Sequence, residues 1–176
     1  MRIGIYYVAV AVLIFSVLLL LPVAVALFGD DFQTGFGFLI YSAFGLFLSI
    51  ACLLSLRGKN HDRLSRAGGF ILICFIWLLY PAIATLILVD LTGLSWWQAW
   101  FEAVSGLTTS GASGFSNKSV LPPSLLIWRS QLEWIGGLLT IAMVIFILAP
   151  AGAGGLPTRS VVLYNTQAPD LAKQVR

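Results

Sequence analysis

The stretch Ser95-Trp96-Trp97-Gln98-Ala99-Trp100-Phe101-Glu102-Ala103-Val104-Ser105-Gly106-Leu107, followed by Thr108-Thr109-Ser110-Gly111-Ala112-Ser113-Gly114, decides how this chain folds. Ser95 and Gln98 stand at the spacing of a capping box, in which a hydroxyl and an amide meet the free donors of a helix start. The spacing predicts a helix over Trp96–Leu107, about 18 Å long at 1.5 Å per residue. That is too short to cross a hydrocarbon core of about 30 Å. Small, hydroxylated and glycine residues then succeed the aromatic helix. Irregular backbone at membrane depth is tolerated only where it is buried in protein or lines a water-filled cavity. One reading is therefore a re-entrant pore loop. Its half-helix directs a negative dipole end inward, which favours a cation, and the strand after it presents carbonyls in place of the ion's water shell. Gly111 would admit backbone angles that side-chain-bearing residues resist. The other reading is an amphipathic helix lying flat at the outer interface, with Trp96, Trp97 and Trp100 as an aromatic belt and 108–119 as a plain polar loop. Taken alone, these residues fit both.

Outward from this stretch the composition is that of a membrane protein. Of 176 residues, 59% are hydrophobic and 10% charged, with a mean hydropathy of +0.96. Soluble domains carry roughly 25% charged residues. These values exclude a soluble domain and a disordered chain, and two cysteines exclude a disulfide scaffold. Cys52 and Cys74 lie in apolar runs and read as small hydrophobes. Residues 3–29, 32–56, 67–89 and 134–158 contain no Asp, Glu, Lys or Arg. Each is long enough to span, so helices are expected at about 4–27, 34–56, 68–91 and 124–149. The first run is too long and too evenly apolar for a signal-peptide core and is expected to remain as a helix.

Orientation follows from the basic residues. Arg2, then Arg57, Lys59, Arg63 and Arg66, then Arg159, Lys173 and Arg176 fall on one side of the spans. The other side holds Lys118 and Arg129 together with Asp30, Asp31, Asp90, Glu102 and Glu133. The positive-inside rule puts both termini and the 57–66 loop in the cytoplasm. The expected fold class is an all-α membrane protein: four transmembrane helices plus one re-entrant pore helix and filter-like loop between the third and fourth. The net charge of +3 is the sum of two opposite faces and gives no sign of nucleic-acid binding. His61 is alone in the basic loop, and no His/Cys/Asp cluster, phosphate-binding glycine loop or serine with a histidine base is present. Neither an enzyme nor a cofactor is expected.

The run Phe101-Glu102-Ala103-Val104-Ser105-Gly106-Leu107-Thr108-Thr109-Ser110-Gly111-Ala112 resembles the first pore loop of the Trk/Ktr/HKT potassium transporters, whose pattern is FEA-x-SG-x-TTTGA. Arg66, Phe70, Trp77 and Pro81 resemble that family's helix before the loop. Leu121-Pro122, Trp128-Arg129 and Trp134-Ile135-Gly136-Gly137 resemble the helix after it, and Pro150 with Gly154-Gly155 fits its ending. The similarity covers about 60–176 by motif and the two leading helices by topology. It implies four repeats of helix, pore loop and helix around one pore, preceded by two extra helices. On that basis residues 1–59 form two lead-in helices, 60–158 one repeat and 159–176 a cytoplasmic tail.

Carried over by position, Thr108, Thr109, Ser110, Gly111 and Ala112 are the expected ion-binding residues, chiefly through their carbonyls, with K+ as the transported ion. Three positions depart from the pattern. Ser110 replaces the third threonine, with carbonyl and hydroxyl both kept. Leu139 stands where a further glycine is usual, which alters how closely the last helix packs. Glu133 stands where an amide is more usual. Arg129 lies four residues before Glu133 and can pair with it on one helix face, or with Glu102 on the pore helix. These three charges are expected either to pair structurally or, for Glu102 and Glu133, to concentrate cations at the outer mouth.

A single repeat cannot enclose a pore. The expected function is a subunit or fragment of a potassium uptake transporter, its filter completed by other pore-forming subunits, either copies of itself or a chain carrying the remaining repeats. The alternatives are a non-conducting accessory or scaffold subunit derived from that family, and a truncated reading frame. The expected surroundings are membrane lipid in a prokaryotic inner membrane. A cytosolic nucleotide-binding regulatory ring is a possible partner for the 57–66 loop and the 156–176 tail.

Overall fold

A computed structural model describes residues 2–57, 66–115 and 121–148. Six helices occur among them: α1 (Arg2–Leu18), α2 (Leu20–Phe28), α3 (Phe32–Leu56), α4 (Arg66–Thr92), α5 (Trp96–Leu107) and α6 (Pro123–Leu148). The described residues contain no strand. The chain divides into two compact units, Met1–Thr140 and Ile141–Arg176. Of the second, the described residues are 141–148, the last turns of α6. Residues 58–65 of the basic loop, His61 among them, lie outside the described residues, as do Lys118 and the tail 159–176.

Among the described residues, three stretches are long and apolar enough to cross a membrane: Ile3–Phe28, Phe32–Leu56 and Gly68–Thr92. The first covers the expected helix at 4–27 and carries a single irregular residue, Leu19, between α1 and α2. Pro22 has no N–H to give the Leu18 carbonyl four residues earlier, and the helix is reset at Leu19. The carbonyl left over is taken by the Gln131 side-chain amide of α6, at 2.9 Å. A neighbouring helix thus satisfies what proline left open, the condition under which proline is tolerated in apolar surroundings. Gln131→Leu removes that donor and is expected to cost about 1–3 kcal/mol, the penalty for a buried polar group without a partner. A lowered thermal unfolding midpoint in detergent checks it.

Polar side chains, small residues and packed rings hold the helices together. Asp31 caps α3 by accepting the Thr34 N–H, and its other oxygen accepts the Ser124 hydroxyl at 2.9 Å, tying the starts of α3 and α6. The Ser42 hydroxyl donates to the Ser16 carbonyl at 2.8 Å. Beside it, a Cβ on Gly45 would lie 2.1 Å from Ser16 Oγ, so α1 and α3 touch through small residues. At the centre, rings from four helices meet in series, tilted or edge to face. Tyr80 meets Phe15 at 4.6 Å, Phe15 meets Trp128 at 5.3 Å, and Trp128 meets Phe38 at 5.8 Å between ring centres. The Tyr80 hydroxyl ends the series on the Ala11 carbonyl at 2.9 Å. Outside this core, Phe44, Phe47, Ile71, Leu78 and others are exposed, as they are when lipid rather than water is the solvent. Cys52 and Cys74 are free and half-buried.

Candidate ion-coordinating loop

The turn before α5 is made by Gly93 in the left-handed region, φ 67°, whose N–H reaches the Val89 carbonyl. Ser95 then starts α5, and the Gln98 side-chain oxygen accepts both the Ser95 N–H at 3.2 Å and its hydroxyl at 2.8 Å. The helix covers Trp96–Leu107, the bounds its sequence predicts. Its buried face is Ala99, Glu102, Ala103, Ser105, Gly106 and Leu107, while Trp96 and Trp97 are exposed. The small residues let α6 approach closely. A Cβ on Gly136 would lie 1.6 Å from the Leu107 carbonyl oxygen, and one on Gly106 would lie 3.2 Å from the Leu132 Cβ. Leu139 is partly buried and packs against the core.

Past Leu107 the chain is irregular. The Thr108 N–H still bonds the Val104 carbonyl at 2.8 Å, and the Ser110 N–H bonds the Ser105 carbonyl at 3.1 Å. Thr109 has φ 55° and Gly111 has φ 74°. A left-handed glycine is unstrained. A left-handed β-branched residue is an outlier costing on the order of 1–3 kcal/mol, a kind of strain that clusters at functional sites. All of Thr108–Ala112 is exposed.

Behind this exposed run the same loop is held by buried groups. Ser105, 3% exposed, donates its hydroxyl to the Ala112 carbonyl and shares a 2.9 Å hydrogen bond with the Ser110 hydroxyl. Glu102, 2% exposed, accepts the Gly114 N–H at 2.6 Å and the Ser113 hydroxyl at 3.0 Å. It also pairs with the Arg129 guanidinium. Arg129 has further partners: Nη1 donates to the Ser113 hydroxyl at 3.1 Å and Nη2 to the Ala112 carbonyl at 2.9 Å. Its Nε lies 3.8 Å from a Glu133 oxygen. Glu102 is the buried partner and Glu133, 40% exposed, the solvent-side one. Both pairings open to Arg129 from sequence therefore occur together.

A family model described as a cation transport protein, TrkH, matches residues 38–174. The chain belongs to the TrkH family. It is 31% identical over 165 residues to the Trk system potassium uptake protein TrkH of Vibrio parahaemolyticus, covering 93% of this chain and 33% of that protein. It is 32% identical over 165 residues to the Trk system potassium uptake protein TrkG of Escherichia coli K12, covering 89% and 31%. The crystal structure of the potassium transporter TrkH from Vibrio parahaemolyticus superposes with a TM-score of 0.75 at 30% identity, covering 94% of this chain and 35% of that one. The chain spans about a third of the length of these TrkH-family relatives. Its three membrane-length apolar helices and its TrkH-family membership make it an integral membrane protein.

Two contributors to the TrkH-family loop are not evident from its sequence: the Ser105 hydroxyl beneath it and the left-handed Thr109. Ser105 carries a faint signal, since with Glu102 it is one of two polar side chains on the buried face of α5. Thr109 carries none, because threonine is not a residue expected there. No group of three or more His, Cys, Asp or Glu placed to hold a metal ion occurs among the described residues.

Proposed function

We propose that the chain supplies one helix–pore loop–helix repeat of a potassium permeation path, and that the carbonyls of Thr108, Thr109, Ser110 and Gly111 face the ion. The observation that carries this is the alternation of left-handed backbone at Thr109 and Gly111 within a run exposed on one side and hydrogen-bonded on the other. Alternating handedness turns successive carbonyls toward one side, the arrangement that replaces a cation's water shell. The negative end of α5 lies at the foot of the run and favours positive charge there. Ala112 has a different part: its carbonyl is taken by Ser105 and Arg129, so it anchors the strand rather than binding the ion. K+ is the ion that the names of the relatives support.

In this reading α5 is re-entrant, α6 is a fourth span, and both termini are cytoplasmic in a prokaryotic inner membrane. Residues 1–59 lead in, 60–158 form the repeat and 159–176 a tail. The exposed face of 108–112 is completed by other pore-forming subunits, copies of this chain or one with further repeats. A cytosolic nucleotide-binding ring would dock on the 57–66 loop and the 156–176 tail.

The test is Rb+ and Na+ uptake into liposomes carrying the chain with its co-purifying subunits. Gly111→Ser forces a side chain onto φ 74°, although a Cβ there meets nothing within 4 Å. The strain of about 1–2 kcal/mol is relieved by moving the Gly111 peptide, and a fall in Rb+/Na+ selectivity is the expected result. Absence of Rb+ flux in a stable complex would sink the pore reading and leave the accessory-subunit one.

A further inference from the structure

We infer that Arg129, with Glu102 as its counter-ion, is a positioning residue that sets the outer end of the ion-coordinating strand and so the choice between potassium and sodium. This rests on the pore reading above. The Ala112 carbonyl is the first after Gly111, and it receives two donors, the Ser105 hydroxyl and Arg129 Nη2. A carbonyl oxygen has two lone pairs, so this one has no capacity left for an ion. The next peptides are fixed as well. The Gly114 N–H is held by Glu102, and the Phe115 N–H by the Ser113 hydroxyl, which itself contacts both Glu102 and Arg129. Residues 112–115 therefore form a clamp built on one buried ion pair.

The inner end of the strand is fixed separately, by the Thr108 and Ser110 N–H groups on α5 carbonyls. Between two fixed ends, the carbonyls of Thr109 to Gly111 cannot close in on a smaller ion without breaking a hydrogen bond. Selectivity among cations depends on the number, spacing and stiffness of such carbonyls. The residue type matters here. A guanidinium is a planar fork that serves Glu102, Ser113 and Ala112 at once, whereas a lysine ammonium is a point charge that would keep the ion pair and give up the carbonyl.

The experiment compares Arg129→Lys, Ser105→Ala and the double variant with wild type, in liposomes carrying the chain with its co-purifying subunits, reading Rb+ and Na+ uptake per molecule. Arg129→Lys is expected to keep total cation uptake within about twofold while the Rb+/Na+ ratio falls by about tenfold, the effect of losing one charge-assisted hydrogen bond. Ser105→Ala alone is expected to lower the ratio less, because Arg129 still holds the carbonyl. The double variant should fall by more than the product of the single effects, since the two donors share one acceptor. A merely structural role would reduce the amount of protein and leave the ratio per molecule unmoved. An unchanged ratio in the double variant overturns the inference. If Arg129→Lys fails to reach the membrane, the neutral pair Glu102→Gln/Arg129→Met, which also lacks the arginine donor to Ala112, decides, and an unchanged ratio there overturns the inference equally. A wild type without Rb+ uptake overturns the pore reading and this inference with it. A selective wild type with unaltered variants overturns this inference alone.

Discussion

Gly136→Ala is expected to destabilise the protein by about 3 kcal/mol or more, at or beyond the usual upper end for an overpacked core. The added Cβ would lie 1.6 Å from the Leu107 oxygen, 2.6 Å from its carbonyl carbon and 3.1 Å from its Cα. All three are backbone atoms, and no flexible side chain is available to swing aside. Leu107 is itself 1% exposed and ends α5, so relief requires α6 and the foot of the loop to separate. Thr108 is the next residue, so the displacement enters the exposed run 108–112 directly. The adjacent Gly137 is an internal control, because a Cβ there meets nothing within 4 Å. Gly137→Ala should unfold within about 0.5 kcal/mol of wild type, the usual range for substitutions away from such contacts. Thermal unfolding of both variants in detergent is the measurement. Equal midpoints would show that the α5–α6 contact is not as close as described.

Glu102→Gln is expected to be the second large loss. The glutamine fills the same space but is neutral, and it leaves Arg129, whose side chain is 13% exposed, facing only the more distant Glu133. Removing one partner of a buried pair costs at most roughly 3–5 kcal/mol, and the loss here falls toward the lower end because Arg129 is partly exposed and keeps Glu133. The neutral double variant Glu102→Gln/Arg129→Met is therefore expected to be more stable than Glu102→Gln alone. Its Ala112 carbonyl would still lack the arginine donor, so stability and ion selectivity should separate in that variant. Abundance in the membrane and unfolding midpoints decide the first half of this prediction. A double variant no more stable than the single one would rule out the buried charge as the origin of the loss.

Local order was legible from the chain wherever neighbours in sequence make it. The bounds of α5 follow from the Ser95–Gln98 spacing at one end and the glycine and hydroxyl residues at the other, and both signals act within a few residues. The long helices were legible for the same reason, since an uncharged run of span length has few other solutions. What stayed hidden depends on contacts between distant residues. Pro22 is plain in the sequence, yet its consequence is a hydrogen bond from Gln131, more than a hundred residues away. Gly136 stands in the sequence as one glycine of the Trp134-Ile135-Gly136-Gly137 motif, but nothing local shows that its neighbour is the carbonyl of Leu107. Position along a motif put Ala112 with the ion-binding residues. Only the three-dimensional placement of Ser105 and Arg129 shows its carbonyl in use elsewhere.

The clamp behind the loop also bears on the order in which a pore of this kind is built. Within the chain itself, residues 108–115 are held by α5 backbone carbonyls and by the side chains of Ser105, Glu102, Ser113 and Arg129. Segments that acquire their shape only on meeting a partner give up about 2–5 kcal/mol of interaction energy to ordering. In the pore reading, contacts within one chain supply this ordering in the bilayer before a neighbour arrives. In that reading, biogenesis is then the docking of finished parts. Its concentration dependence should report contact between subunits rather than the shaping of the loop.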